Sequence, residues 1–127
     1  MEKEAYREIM ILTKMNHPNV ISIYEYFESE KYISIVMNHV PGKTLLLELE
    51  KHKSDYTTRR ITKILWQIAK AVRHLKAKDI IWCNFSHKNI IYDGNDLRIC
   101  GFSRSRVKVK RDLRQAKSIL GLRGNNY

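Results

Sequence analysis

The sequence predicts a single small domain of the α+β class, and the spacing of its apolar residues indicates this class. Helical spacing occurs near the N-terminus and again in the middle of the chain, where the longest amphipathic segment lies. Runs rich in Ile, Val and Tyr, which favour strands, follow both segments. With 127 residues and 43% hydrophobic residues, the chain has enough apolar side chains for one core, so a disordered chain is not expected.

The first forty residues predict one helix followed by two strands. Residues 3–15 have the apolar spacing of an amphipathic helix, which we expect to end before Pro18 because proline cannot continue it. Residues 20–26 and 32–40 have the composition of strands, and the polar residues 28–31 between them predict a turn. We therefore expect an antiparallel pair of strands.

Two further helices are predicted, one short and one long. Thr44 can cap a short helix over residues 45–50, and Thr57 or Thr58 can cap the long one, because a threonine hydroxyl accepts a hydrogen bond from a free helical N–H. We expect Trp66, on the long helix, to lie in the core rather than to form a platform on which nucleic-acid bases stack. The apolar residues of that helix recur at helical spacing: Ile61, Leu65, Ile68, Val72 and Leu75.

Three short strands are predicted after the long helix, at residues 80–82, 90–92 and 97–100. The last two are separated by residues 93–96, whose sequence Asp-Gly-Asn-Asp favours a tight turn. We expect these two strands to form a hairpin.

Positive charge is concentrated at the C-terminal end of the chain. The formal net charge is +11, and residues 104–127 hold eight Lys or Arg against the single Asp112, which is +7 of that total. Such a basic tail can be a solvated loop, or it can bind nucleic acid, an acidic protein surface or a phosphorylated partner. Composition leaves these alternatives open, with the solvated loop preferred.

No feature of the sequence predicts a membrane or secreted protein. The chain has no uncharged apolar run of the ~18 residues that a bilayer span needs, and residues 1–4 are charged where a signal peptide would turn apolar. Cys83 and Cys100 are too few for a disulfide scaffold. We expect an intracellular protein, in the cytoplasm or nucleus, with free thiols.

Residues 80–105 carry the most informative pattern, IIWCNFSHKNIIYDGNDLRICGFSRS. This segment resembles the catalytic core of protein kinases, where a His-Arg-Asp loop is followed by an Asn five residues after its Asp, then by a hairpin and Asp-Phe-Gly. The resemblance places Asn84 at the catalytic Asp position and Gly101 at the metal-binding Asp position. Asn89 and Phe102 match the family.

The resemblance extends over essentially the whole chain and implies a fragment of the bilobal protein-kinase fold. The order of elements is similar to that of a Ser/Thr kinase from its αC helix, through two strands, the hinge, αD, αE and the catalytic loop, to a hairpin and part of the activation segment. It implies an N-lobe remnant at residues 1–37 and the hinge with a partial C-lobe at residues 38–127, ending in the basic tail 104–127. Glu8 matches the αC Glu. Its lysine partner in the family lies on an earlier strand, after the glycine-rich loop, so a truncated domain is expected.

Residues 32–46, YISIVMNHVPGKTLL, resemble the strand, hinge and αD helix beside the adenine site of Ser/Thr kinases. The resemblance implies that Met37 is the gatekeeper, that Asn38 and Val40 bound the hinge, and that Ile91 lies beneath the adenine ring. A remnant of the nucleotide pocket is therefore expected, with millimolar affinity for ATP and magnesium at best.

The resemblance also implies an apolar stack between the two lobes, formed by Leu12, Ile23, Trp82 and Phe102. These residues remain suited to packing, whereas the charged catalytic residues have been replaced. This contrast favours selection for a folded module that does not perform catalysis.

Phosphoryl transfer would lack both of its carboxylates. In the family the first Asp orients the substrate hydroxyl, and the second holds the magnesium ions that neutralise the ATP phosphates. Asn84 is an amide of little basicity, Gly101 has no side chain, and Asn89 alone supplies one weak neutral oxygen. We expect no intact catalytic residue, no metal site and no cofactor, with ATP and magnesium relevant only if residual activity exists. Glu8, without its lysine, is expected to be an exposed helix carboxylate.

Cys83, His87 and Cys100 allow another interpretation, a zinc site, because zinc favours Cys and His ligands. Their spacing matches no established zinc pattern and a fourth ligand is not evident, so this interpretation is disfavoured. His87 as a general base is disfavoured as well, since nothing positions a phosphate beside it.

The sequence thus predicts a truncated, catalytically inactive Ser/Thr kinase-like protein that acts by binding a protein, as a decoy or regulator of a kinase pathway. The first strand of the pair and the apolar face of the long helix would lack neighbours that the whole kinase fold supplies, and such surfaces favour association. A full-length kinase is the natural partner, and self-association is a further expectation. The alternatives are residual ATP-dependent kinase activity, nucleic-acid binding through the basic tail, and a non-functional gene fragment.

Overall fold

The computed structural model describes residues 2–107, and the side chains of residues 3–107, as an α+β fold. The predicted fold class is therefore confirmed. The basic tail lies outside the described residues from position 108 onward, so the structure does not test the roles considered for it. Within the described part, no helix combines the length and the apolar character needed to cross a membrane.

Helix α1 (Glu2–Leu12) begins the fold and ends three residues earlier than the sequence predicts. The chain tightens at its end, where the Thr13 hydroxyl donates to the Met10 carbonyl oxygen at 2.8 Å. The backbone N–H of Met15 then bonds to the carbonyl of Leu12 at 3.2 Å, a shorter loop than a helical turn makes. This tight exit precedes Pro18.

Strands β1 (Ile23–Glu28) and β2 (Ile33–Met37) form the predicted antiparallel pair, which is a separate two-stranded sheet. The strands are joined by a turn in which the Ser29 backbone N–H bonds to the Tyr32 carbonyl at 2.8 Å. Among the described residues this sheet has no third strand, so both of its edges carry free backbone groups.

Strand β3 (Lys43–Thr44) leads into helix α2 (Leu45–Lys51), and helix α3 (Thr58–Ala77) follows. The Thr44 hydroxyl accepts from the backbone N–H of Leu47, which confirms the predicted cap. Of the two candidate caps of the long helix, Thr57 performs that role, because its hydroxyl accepts from the backbone N–H of Arg60 at 3.2 Å.

The three predicted short strands are present as β4 (Ile80–Ile81), β5 (Ile90–Tyr92) and β6 (Leu97–Ile99), and a further strand that was not predicted, β7 (Arg106–Val107), follows them. Strands β5 and β6 form the expected hairpin, β3 pairs with β5 on its other side, and β4 pairs with β7. The turn of the hairpin is closed by Asp93, whose carboxylate accepts from the backbone N–H groups that follow it. These hydrogen bonds lower the pKa of Asp93.

A buried amide network joins the loop after α1 to α3 and to the hairpin. The side-chain nitrogen of Asn19 donates at 2.9 Å both to the side-chain oxygen of Gln67 and to the carbonyl of Leu97. The same Gln67 oxygen accepts from the backbone N–H of Leu97 at 3.0 Å. Because both amides are buried and each bonds to other segments, they help to fix the relative position of three segments of the chain.

Trp66 lies on the exposed side of α3, although the sequence predicts that it lies in the core. Ile64, Ala71 and Leu75 are buried, whereas Trp66 is 64% exposed, so the prediction that Trp66 lies in the core is wrong. At about 100° per residue, Trp66 lies about 160° around the helix from Ile64. Polar Gln67 occupies the core side instead, because the buried amide network needs it.

The apolar residues on one flank of α3 are uncovered. Ile61, Leu65 and Val72 are all exposed, although they share the helical spacing of a core face. They lie beside the buried row of Ile64, Ala71 and Leu75 on the helix surface and are not part of it. We call the three exposed residues the apolar flank.

Candidate functional site

The catalytic-loop equivalent runs from the end of β4 to the start of β5 and is held by short-range hydrogen bonds. The Ser86 hydroxyl accepts from the backbone N–H of Lys88 at 3.2 Å and so begins a 3-10 turn over His87–Asn89. The side-chain nitrogen of Asn89 donates to the backbone carbonyl of Asn84 at 3.0 Å. Asn89 therefore bridges its own loop in the way that Asn side chains stabilise turns.

A second set of bonds ties this loop to the segment that follows β6. The carbonyl of Asn89 accepts from the backbone N–H of Cys100 at 2.8 Å and from the Cys100 thiol at 3.3 Å. Asn84, Asn89 and Gly101, which match catalytic and metal-binding positions of the resemblance, are thus brought together in one place.

Gly101 is in close contact with the Asn89 side chain. Its φ is +78°, a backbone conformation that favours glycine. A Cβ on Gly101 would lie 2.6 Å from Asn89 Cγ and 2.7 Å from Asn89 Oδ1, both well inside van der Waals contact. The Asn89 amide therefore occupies the space in which any side chain at position 101 would begin.

The residues at this site do not fit a magnesium ion. Magnesium in phosphoryl transfer needs carboxylate ligands. Here the side-chain ligands would be the neutral amide oxygens of Asn84 and Asn89, and position 101 has neither a side chain nor room for one. No step of phosphoryl transfer can be assigned to these groups.

Glu8 lies at the same site, on α1, and is half-buried rather than exposed. Burial raises the pKa of Glu8, and a hydrogen bond from the backbone N–H of Phe102 offsets part of that rise. The Cys100 thiol has a raised pKa because it is buried and because the Glu8 charge is near. The prediction of an exposed helix carboxylate is therefore wrong, since α1 packs Glu8 against the segment 100–102.

The four residues assigned to the apolar stack lie in or against one core. Leu12 and Phe102 are fully buried, and Ile23 and Trp82 are partly buried against the same core. The ring centroids of Trp82 and Phe102 are 6.1 Å apart. The Trp82 indole N–H donates to the carbonyls of Cys100 at 3.1 Å and Gly101 at 3.3 Å, so it also fixes the backbone beside Asn89.

The residues assigned to the nucleotide pocket are only partly enclosed. Met37, at the end of β2, and Asn38 are exposed, and the backbone N–H of Asn38 is bonded to the Ser22 carbonyl at 3.0 Å. Val40 is partly buried against the core. Ile91 is partly buried on β5, where it pairs with Thr44. The assignment of these four residues to an adenine site stays a prediction.

The structure does not support the zinc interpretation. Cys83 and His87 are exposed, whereas Cys100 is half-buried and bonded to Asn89. Within residues 2–107, no three His, Cys, Asp or Glu side chains are close enough together to hold a metal ion.

Two features of this region could not be read from the motif alone. The sequence shows that Gly101 replaces the family's Asp, and this replacement is a sign that the site is altered. The contact between Asn89 and Gly101 itself depends on the backbone angle of Gly101, which the sequence does not give. The burial of Glu8 depends on how α1 packs against Phe102. Neither follows from spacing along the chain.

Comparison of the sequence with known proteins identifies the family. The family model of the protein kinase domain matches residues 1–121. The chain is 31% identical over 109 residues to a probable myosin light chain kinase of Dictyostelium discoideum, which covers 83% of this chain and 35% of that protein. It is 26% identical over 124 residues to human serine/threonine-protein kinase D2, covering 94% of this chain and 14% of that protein.

A third relative, the serine/threonine-protein kinase RUNKEL of Arabidopsis thaliana, is 28% identical over 127 residues, which are 99% of this chain and 9% of that protein. The chain thus belongs to the protein kinase family and spans a minor part of the length of these relatives. It covers part of the kinase fold, as the resemblance implied.

Proposed function

We propose that this chain is a catalytically inactive member of the Ser/Thr protein kinase family that acts by binding another protein, as a decoy or regulator of a kinase pathway. The observation that carries the proposal is the packing of the Asn89 amide against Gly101. It means that the metal-binding carboxylate is missing and that its space is filled.

The packing residues of the fold support the same conclusion. Leu12 and Phe102 are buried, and Trp82 makes two hydrogen bonds to the backbone beside the lost metal position. These hydrogen bonds hold the site in a form that lacks the family's catalytic and metal-binding aspartates. Because catalysis of phosphoryl transfer is mostly positioning and charge stabilisation, a site that lacks both of these carboxylates has little to contribute.

A binding role is supported by exposed apolar surface. The apolar flank of α3 is uncovered, and a neighbouring groove of about 480 Å³ is lined mainly by apolar side chains, including Val72, Ile81 and Phe85. Exposed apolar surface of this kind marks protein interaction sites. A full-length kinase of the same pathway is the partner we propose.

A transfer assay tests the proposed lack of catalysis. The chain is incubated with labelled ATP, magnesium or manganese, and generic protein substrates, beside an unrelated active kinase as the positive control. Only background transfer is expected. Transfer that disappears on Asn89→Ala would contradict the proposal, because it would show that this site performs chemistry.

A variant with both carboxylates restored, Asn84→Asp with Gly101→Asp, extends the test. We expect it to remain inactive and to be less stable, because Asn89 and the positive φ at position 101 oppose the new side chain. Activity in this variant would show that the site accommodates the metal-binding group after all.

The binding role is tested by its effect on a kinase. The chain is added to a purified Ser/Thr kinase that co-purifies with it, and the activity of that kinase is measured. A change in activity that Leu65→Asp and Val72→Asp remove would support the proposal. An unchanged activity with every co-purifying kinase would contradict the regulatory role.

A further inference from the structure

One side of α3 carries an exposed row of cations around a tryptophan, which we call the basic stripe: Arg59, Lys63, Trp66, Lys70 and Arg73. These residues recur at three-, four- and seven-residue spacing, so they share one side of the helix. All five are exposed, and the row is about 21 Å long at 1.5 Å per residue. Helix α3 contains no Asp or Glu that could neutralise them.

A groove of about 440 Å³ lies beside the basic stripe. Pro18, Val40 and Pro41 give it an apolar wall, and Trp66 and Lys70 form part of its other wall. Asp93 and Asp96 line the side of the groove formed by the hairpin turn. The Asp93 carboxylate accepts from backbone N–H groups of that turn, and the Asp96 carboxylate accepts from the Asn95 side chain at 3.3 Å. The groove therefore has an apolar wall, cations on the α3 side and two carboxylates on the hairpin side, so only its α3 side favours an acidic partner.

No cation of the basic stripe forms a salt bridge in the described part of the chain, although Lys63 is near enough to Asp93 to contribute to the lowering of its pKa. The ion pairs within residues 2–107 are those of His52 with Glu48 and Asp55. Lys63 bonds to the neutral side chain of Asn95. The positive charge of the stripe is thus available to a partner.

A complementary surface lies on β1 and the turn after it, residues 24–30, with the sequence YEYFESE, which we call the acidic strand. It has three carboxylates, Glu25, Glu28 and Glu30, and no Lys or Arg. Its aromatic side chains are well exposed, Tyr24 by 74%, Tyr26 by 51% and Phe27 by 55%. None of its carboxylates forms a salt bridge within residues 2–107, and Glu28 accepts only from the Tyr6 hydroxyl.

We propose that the acidic strand of one copy of this chain docks on the basic stripe of a second copy. An aromatic side chain of the strand would enter the groove beside Trp66, and its carboxylates would pair with Lys70 and the neighbouring cations of the stripe. Aromatic contact combined with opposite charge is the composition of specific protein interfaces. This proposal goes beyond the binding role proposed above, whose partner is a full-length kinase, because it adds contact between copies of this chain through other surfaces. Its failure would leave the transfer assay and the kinase-binding test unaffected.

Charge complementarity between the two surfaces selects a second copy as the occupant. Within one copy, no hydrogen bond or salt bridge in the described part joins the acidic strand to the basic stripe. Since the two surfaces differ, the contact is heterologous, and each copy can bind one neighbour on each side.

Charge reversal between copies tests the proposal on the full 127-residue chain. One variant reverses the stripe (Lys70→Glu with Arg73→Glu), and the other reverses the strand (Glu25→Lys with Glu30→Lys). No hydrogen bond of these four side chains is part of the described fold. Circular dichroism and the urea midpoint establish that each variant is folded.

Sedimentation at several concentrations gives the result. The natural chain should associate, and raising NaCl from about 50 to about 500 mM should weaken that association by about tenfold, because salt screens surface charges. Each variant alone should be monomeric, since like charges then face each other. An equimolar mixture of the two variants should associate again.

Three results would overturn the proposal. These are a monomeric natural chain, association of either variant alone at the natural strength, or a mixture of the two variants that stays monomeric. Lys14→Glu with Lys53→Glu, which makes the same change of charge at exposed positions outside both surfaces, is the matched control and should leave association unchanged. Association that Leu65→Asp removes and charge reversal does not would assign the contact to the apolar flank instead.

Discussion

The side-chain amide of Asn89 fills the space in front of Gly101, where a Cβ would lie 2.6 Å from Asn89 Cγ. Hydrogen bonds hold Asn89 in this position. Its side-chain nitrogen donates to the backbone carbonyl of Asn84, and its backbone carbonyl accepts from the backbone N–H of Cys100. The altered residues at positions 84 and 101 and the retained Asn89 therefore form one packed unit. We expect that no single substitution returns this unit to a metal site.

A pair of glycine substitutions measures this contact. Gly94 and Gly101 both have positive φ, +97° and +78°, but a Cβ at Gly94 would meet only the Arg60 side chain, at 3.9 Å. Gly94→Ala should thus cost about 1–2 kcal/mol of unfolding free energy, for the backbone conformation alone. Gly101→Ala should cost about 1–3 kcal/mol more, because it adds a steric overlap. Urea unfolding measures both.

The double variant Gly101→Ala with Asn89→Ala shows whether Asn89 is the cause. Its cost should be smaller than the sum of the two single costs by about 1 kcal/mol, since removing the amide relieves the overlap. Costs that simply add would mean that Asn89 does not fill this space.

The buried stack should dominate the stability of the fold. Phe102→Ala removes a fully buried ring and should lower the unfolding free energy by about 3–5 kcal/mol. Leu65→Ala, at a position that is 60% exposed, should change it by less than about 0.5 kcal/mol. Chemical unfolding of the two variants compares them directly, and similar costs would contradict the assignment of Phe102 to the core.

Stability should fall in mild acid because of a histidine pair. The rings of His17 and His74 are 5.1 Å apart, and each accepts a backbone N–H, from Asn19 at 3.0 Å and from Asn16 at 3.3 Å. A nitrogen that accepts a hydrogen bond cannot carry a proton. Burial lowers the pKa of both residues. Nearby positive charges lower these pKa values further. At His17 they are the charge of His74 and then that of Lys70, and at His74 it is the charge of Lys78.

The unfolded chain therefore binds more protons than the folded chain between the lowered folded pKa values and about 6.5, the unfolded value. The contribution of the pair to the unfolding free energy should be fully present above that window and should be lost as the pH falls through it. The variant His17→Asn with His74→Gln should show a shallower drop in urea midpoint between about pH 7.5 and about pH 5.5. His39→Gln, at an exposed position, is the control. Equal slopes for the natural chain and the double variant would rule out the pair as the cause.

Several elements were predictable because they depend on local sequence. The Thr44 and Thr57 caps, the periodicity of α3 and the hairpin turn at Asp93 all follow from interactions between residues a few positions apart. The spacing of the basic stripe, from Arg59 to Arg73, was also visible along the chain. That spacing indicates a binding surface only once the structure shows that Trp66, in the middle of the row, is exposed.

The errors come from contacts between distant segments. Trp66 was assigned to the core because large aromatic residues are usually buried, but Asn19 and Leu97 require Gln67 on that side of the helix. Glu8 was assigned to solvent because its lysine partner was not found, whereas α1 places it against Phe102. The packing of Asn89 against Gly101 likewise depends on a backbone angle.

Titration of magnesium and ATP against the thermal midpoint of the chain tests the central claim most directly. With Asn89 packed against Gly101, we expect a dissociation constant of about 1 mM or weaker. At about 100 μM ATP the stabilisation should then be below about 0.1 kcal/mol, too small to move the midpoint measurably. The same midpoint with magnesium and with EDTA is the predicted result. A rise of several degrees that requires magnesium at micromolar ATP would contradict it.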